Sequence, residues 1–232
     1  MDDPLEQSVP GQLARKAGQL ANDAESRIPV LVALIAAMAM QMAIPTDYTL
    51  LPRWPLIVLE AILLVVMALT DPVRATRGTR IGTYATYALL AAITIDNTAS
   101  AVVLDVRILT GQVSNDAAGL LGSGAAIYLT NVVVFGIWFW KLDSGGPVAR
   151  HNRERKYPDF MFPQMGNPEL APPGWRPTFV DYLYVSITNV MAFSPTDTMP
   201  LARWAKSMMA VQAMVALSTA ALVIARAVGV LG

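Results

Sequence analysis

Two carboxylates stand in stretches otherwise apolar enough to cross a bilayer. Glu60 lies five residues into the segment that begins at Pro55, and Asp96 lies with Asn97 in the segment that begins near Ile81. A charge at the bilayer centre costs about 2.5–3.5 kcal/mol on insertion scales, so such groups face inward and find partners or bind an ion. Asn189 lies in a short apolar segment, Asp197 just beyond it, and Arg203 opens the last one. Glu60, Asp96, Asn97, Asn189, Asp197 and Arg203 are therefore the candidate permeation or ion-binding residues. Glu60 and Asp96 would bind a cation or proton, and Asn97 and Asn189 would line an outward-facing polar pocket. Arg203, with Lys206, would hold Asp197 or gate the mouth. The plainer reading makes Asp96 and Asn97 hydrogen-bonding glue between helices, with Glu60 protonated or reaching the interface.

Other chemistry is poorly provided for. There is no cysteine, hence no disulfide, thiol nucleophile or thiolate metal site. The single histidine, His151, sits in a polar loop, which argues against histidine metal sites and serine–histidine triads. Without a phosphate-binding loop, Glu60 and Asp96 are too few for a membrane enzyme, and no cofactor is called for. Formal net charge is zero and there is no basic stripe, which excludes a nucleic-acid partner.

The elements that must position these groups are hydrophobic blocks. Apolar residues make up 54% of the 232 residues and charged residues 15%, against about 25% charged in a soluble domain. A spanning helix needs roughly 20 mostly apolar residues. Residues 1–27 are a polar arm. Four spans follow within 28–140, namely Ile28–Ile44, Pro55–Thr70, about Ile81–Leu104 and about Ala118–Trp140. Residues 141–178 form a proline-rich polar loop. Residues 179–232 contain a short apolar segment, Phe179–Phe193, and a last helix from about Pro200 to Val230. The fold class is thus all-α, a polytopic membrane protein with about six hydrophobic segments, five full helices and one short or re-entrant helix.

The stretch Asp181 to Pro200 resembles the pore helix and filter of potassium channels. Tyr184, Ser186, Thr188, Asp197 and Pro200 match that pattern without a gap, and Arg203 opens an apolar helix like the channel's inner helix. Ala192-Phe193-Ser194-Pro195-Thr196 stands where the channels have Thr-Val-Gly-Tyr-Gly. Pro195 cannot copy the backbone that lines up a ring of carbonyls, which argues against selective potassium conduction. The whole chain, with the Leu142-Asp-Ser-Gly-Gly-Pro147 boundary after its fourth span, also looks like a family of uncharacterised bacterial multi-pass membrane proteins. That resemblance implies a bacterial inner (plasma) membrane and leaves a homo-oligomer open.

The charges bear on topology. With six crossings, thirteen of the seventeen lysines and arginines fall on the side of the arm, the long loop and the chain end. Arg53, Arg107, Arg203 and Lys206 fall on the other. Basic residues accumulate in the cytoplasm, so both termini are expected there. A pore loop dipping in from outside would put about fourteen basic residues outside, which favours Phe179–Phe193 as a short sixth crossing. If helical, its fifteen residues reach about 22 Å, less than the ~30 Å hydrocarbon core. Two functions compete: a channel- or transporter-like permeation protein for an ion or small solute, and a structural or accessory membrane protein that binds a partner and has no turnover.

Overall fold

The computed structural model describes residues 25–50, 52–70, 79–113, 116–192, 194 and 197–231. Most of the polar arm and part of the filter-like turn, Phe193, Pro195 and Thr196, lie outside the described residues. The structure is predominantly helical. Its helices are α1 (Ile28–Ala43), α2 (Arg53–Thr70), α3 (Arg80–Leu109), α4 (Ala117–Leu142), α5 (Pro147–Asn152), α6 (Pro163–Gly166), α7 (Phe179–Met191) and α8 (Arg203–Leu231). Between them, β1 (Phe160–Met161) pairs antiparallel with β2 (Met199–Pro200), Phe160 opposite Pro200.

Three helices, α3, α4 and α8, are long and apolar enough to cross a membrane, while α1 and α2 are apolar but shorter. Local chemistry sets their ends. Thr79 caps α3 by accepting from the Gly82 N–H at 2.9 Å, and Asp116 caps α4 by accepting from Ala118 at 3.1 Å. Pro45 closes α1, because it has no N–H to continue the ladder. Gly145 and Gly146 end the α4 region at φ values of 85° and 98°. A Cβ on Gly146 would meet the Lys141 carbonyl oxygen at 2.9 Å, so only glycine fits.

The centre of the bundle is α4, which packs against α1, α3, α7 and α8, while α2 lies on α3. Close approach is bought with small residues. A Cβ on Gly136 would sit 3.1 Å from the Leu183 Cα of α7, and one on Gly124 would sit 2.8 Å from Val223 of α8. Large apolar side chains such as Val32, Ile35, Ile62, Ile95 and Leu217 point outward. A protein that stays monomeric in water rarely exposes so much contiguous apolar surface.

The contacts define two ends. At one, Glu25 meets Trp140 and Phe179, Tyr87 stacks on Trp138, and Trp204 meets Phe160. At the other, Ile44, Tyr48, Leu104, Leu120 and Val223 cluster together. Helices α1, α3 and α8 run from the first end to the second, and α2 and α4 run back. Helix α7 starts at the first end and descends beside α4. Leu183 sits at Gly136, Ser186 donates to the Val132 carbonyl, and Val190 packs on Val132 and Ala216. Val132 is ten residues from the end of α4, about 15 Å along its axis at 1.5 Å per residue. The chain then returns. β2 pairs with β1, and Leu201 N–H donates to the Asp159 carbonyl at 2.8 Å. The seven residues between α7 and β2 reach at most about 25 Å, enough to climb back.

This corrects the expected sixth crossing: α7 enters and the chain leaves at the same end of the bundle. Glu25 and the end of α8 stand at opposite ends of the bundle. Thirteen residues give a helix of about 20 Å, and the β1–β2 pairing pins its exit next to its entry. The charge bias survives. Among the described residues, ten lysines and arginines stand at the loop end, and only Arg53, Arg107 and Arg226 stand towards the other. The charge count is silent on whether the segment after the long loop crosses.

The cysteine-free background makes this measurable. Single cysteines replacing Asn152 and Leu201 should react with an impermeant thiol reagent from the same face of a membrane vesicle, and one replacing Gln112 only from the opposite face. Labelling of 152 and 201 from opposite faces would restore the crossing.

Candidate functional site

The re-entrant α7 and its return are held at two levels. The upper level is built on Asp143, which is fully buried at the end of α4. Its Oδ1 accepts from Ser144 Oγ and from the backbone N–H groups of Asp159, at 2.8 Å, and Phe160. Its Oδ2 accepts from the Tyr182 hydroxyl of α7. One carboxylate thus ties together α4, the strand that receives the returning chain, and α7. Arg150 lies 4.9 Å over the Tyr182 ring and donates through Nη1 to the carbonyls of Trp140 and Asp143. Helix α7 itself begins with a capping box, in which Thr178 and Asp181 satisfy each other's backbone N–H groups.

The lower level is an amide–hydroxyl network between α4, α7 and α8. Gln212 Nε2 donates to Ser186 Oγ at 2.6 Å, and Ser186 Oγ donates to the Val132 carbonyl. Asn189 Nδ2 donates to Gln212 Oε1 and to the Met209 carbonyl, both at 2.9 Å. These side chains are buried, so each bond replaces one to water that cannot be made. Below this level α7 ends, with Met191 70% exposed and Ala192, Ser194 and Asp197 also on the surface of the single chain.

The six sequence candidates separate. Asn189 belongs to the network just described. Asn97 donates to the Ile127 carbonyl of α4 at 3.1 Å, a helix-to-helix contact. Asp96 accepts from Gln41 Nε2 of α1 at 2.8 Å and lines an apolar groove of about 510 Å3 between α2 and α3, with Leu56, Leu59 and Ile95. Glu60 is buried on α2 and does not line that groove. Asp197 and Arg203 are exposed near the return of the chain. None of the cavities found among the described residues is lined by more than one of the six. At the α3–α4 seam, Asn97 Oδ1, Ser100 Oγ and Thr130 Oγ1 are buried without a hydrogen-bond partner among the described residues.

Asp143, Tyr182, Arg150 and Glu25 were not singled out by sequence reasoning. Asp143 and Tyr182 are 39 residues apart; Asp143 lies outside the apolar segments, and a tyrosine within one is not costly enough to stand out. The one signal was the Leu-Asp-x-Gly-Gly-Pro boundary itself. Comparison with protein-family models, curated proteins and solved structures gives no match. The class that the fold and site define is a predominantly helical protein with three helices long and apolar enough to cross a membrane among the described residues.

Glu25 closes the mouth. Its carboxylate accepts from Trp140 Nε1 at 2.9 Å and from the Phe179 N–H at 2.6 Å. Burial raises its carboxyl above the usual range, only partly offset by those hydrogen bonds and by Arg150. A carboxyl held higher in the folded state than in the unfolded chain contributes stability below its unfolded value. That contribution is lost as pH rises through the folded value. In thermal melts across pH 7 to 4, wild type should therefore gain stability on acidification relative to Glu25→Gln; the opposite slope would refute this assignment. Tyr182→Phe and Gln212→Leu should each destabilise the fold by about 1–3 kcal/mol, read as a lowered melting midpoint in detergent.

Proposed function

We propose that the chain is a channel-like permeation protein of the inner membrane, in which several copies surround an axis lined by the end of α7 and by Ala192, Ser194 and Asp197 of the returning chain. The observation that carries this reading is the placement of non-helical backbone. Ala192, Ser194 and Asp197 follow a helix that stops about half-way along α4, and they are exposed on the single chain. Lipid cannot satisfy exposed backbone N–H and C=O groups, so such segments occur at membrane depth only against protein or water. A ring of identical chains supplies both. The C-terminal end of α7 carries the negative pole of its helix dipole, which favours a small cation over an anion.

The loop end holds most of the basic residues, which supports a cytoplasmic location for it and for Glu25, with the end of α8 outside. Helix α7 would then dip in from the cytoplasmic side, the reverse of the potassium-channel arrangement that its sequence resembles. The shared features are a short helix, a return and a following long helix. With α1 and α2 counted as spans, the chain crosses five times and re-enters once.

The competing reading is an accessory protein without turnover. It is favoured by the use of Asn97 and Asn189 as helix-to-helix contacts, which leaves them no part in a path.

Flux separates the two. Protein reconstituted into vesicles should pass a small monovalent cation, and a cysteine at Ser194 should allow two consequences. Oxidation should link copies to each other, and a charged thiol reagent should cut the flux about tenfold or more. Asp96→Asn should leave flux within about twofold, because Asp96 faces a groove away from α7. Absence of flux together with absence of cross-linking would leave the accessory role.

A further inference from the structure

The loop that follows α4 is folded, and beside α5 it encloses a cavity of about 260 Å3. Its wall carries Arg150, Arg153, Arg155, Lys156 and Arg176, and no carboxylate among the described residues lines it. Asp159, largely buried and already accepting from the Ser144 N–H, is 3.7 Å from the exposed Arg155, and the nearby Glu154 accepts from Asn152. We propose that this cavity binds a phosphate-bearing anion, a site that goes beyond the permeation reading and does not depend on it.

A basic run at a membrane surface is usually only solvated charge, and three features here go further. First, the Arg150 side chain is 7% exposed. Its Nη1 is committed to two backbone carbonyls, whereas its Nη2 is buried, makes no hydrogen bond among the described residues and is held only in a long ion pair with Glu25 at 3.9 Å. That leaves a buried, charged donor without a hydrogen-bond acceptor on a residue that lines both this cavity and the one beside Glu25. Second, the facing Arg176 is fixed in place by the His151 carbonyl, 2.7 Å from its Nη1. Two guanidiniums held by backbone oxygens form a preorganised clamp, which spares a bound anion the entropy of ordering them. Third, the non-glycine residues with positive φ among those described, Ser144 and Arg153, both at 55°, both line this cavity. Strained backbone of that kind clusters at ligand sites.

The size narrows the ligand. The cavity is slightly smaller than the ~300 Å3 at which drug-sized pockets begin, so it suits one phosphate group rather than a nucleotide. A second cavity of about 390 Å3 shares Arg150, Arg176 and Pro177 as a common wall and is lined further by Glu25 and Thr178. An ester group of the ligand has room there. The phosphate could come from an anionic lipid headgroup, since the loop lies at the ends of α4 and α8, or from a soluble phosphate.

The test uses the purified full chain. In neutral detergent, its melting midpoint is followed against inorganic pyrophosphate, with sodium chloride at matched ionic strength as the control. In parallel, the midpoint is compared between phosphatidylcholine vesicles with and without phosphatidylglycerol. Bound anion raises the midpoint by linkage. The double variant Arg153→Gln/Lys156→Gln alters exposed side chains only, and it should weaken the response about tenfold or more. Arg176→Gln should do the same. A response to pyrophosphate in detergent identifies a soluble ligand, and a response confined to phosphatidylglycerol identifies a headgroup. No response beyond that to chloride in either arm, or equal responses from wild type and the double variant, would overturn the site.

Discussion

The fold turns on one buried carboxylate. Asp143 has no access to solvent, so each of its lone pairs has to be met by the protein. The donors that meet them come from three places far apart in sequence: Ser144 at the end of α4, the Asp159 and Phe160 backbone in the loop, and Tyr182 in α7. Satisfying Asp143 therefore sets β1 against the end of α4 and aligns the first turn of α7 beside it. β1 in turn offers a free edge to β2, which draws the returning chain back to where it entered. The re-entrant shape follows from electrostatics at the mouth as much as from the length of α7.

Deeper in the bundle the same economy holds with neutral groups. Ser186, Asn189 and Gln212 bond among themselves and to helix carbonyls at Val132 and Met209, which locks α7 between α4 and α8. The close contact at Gly136 brings α7 near enough for that network to form. A rigid short helix with its C-terminal end at depth is the feature on which the permeation reading rests. The polar groups that attract attention in the sequence, Asn97 and Asn189, are spent on holding helices together.

The loop after α4 has a different character from the rest. Its prolines and glycines are not signs of an unstructured connection. They build the turns that set Arg150 over Tyr182 and Arg176 against His151. The outcome is a basic surface with fixed geometry at the entrance to α7. Arg150 belongs both to the mouth of the re-entrant helix and to the cavity proposed to bind a phosphate-bearing anion, so the two are physically continuous.

The sequence by itself determined the hydrophobic blocks, their helical character and the side on which basic residues gather. Those depend on local composition, and a run of apolar residues has few other ways to satisfy its backbone. It also marked 179–200 as a unit resembling a pore helix and its return. What it left undecided was whether that unit crosses. Charge counting weighed a crossing only against entry from the opposite side, and re-entry from the loop side satisfies the same bias. Only the tertiary structure brings the chain back to the end of the bundle where it entered, through the pairing of residues 160–161 with 199–200 and the bond from Tyr182 to Asp143. The site residues divide in the same way. Glu60 and Asp96 were visible because a charge in an apolar run is costly wherever it points. Asp143, Arg150 and Tyr182 were not, because their importance comes from partners that only folding brings within reach.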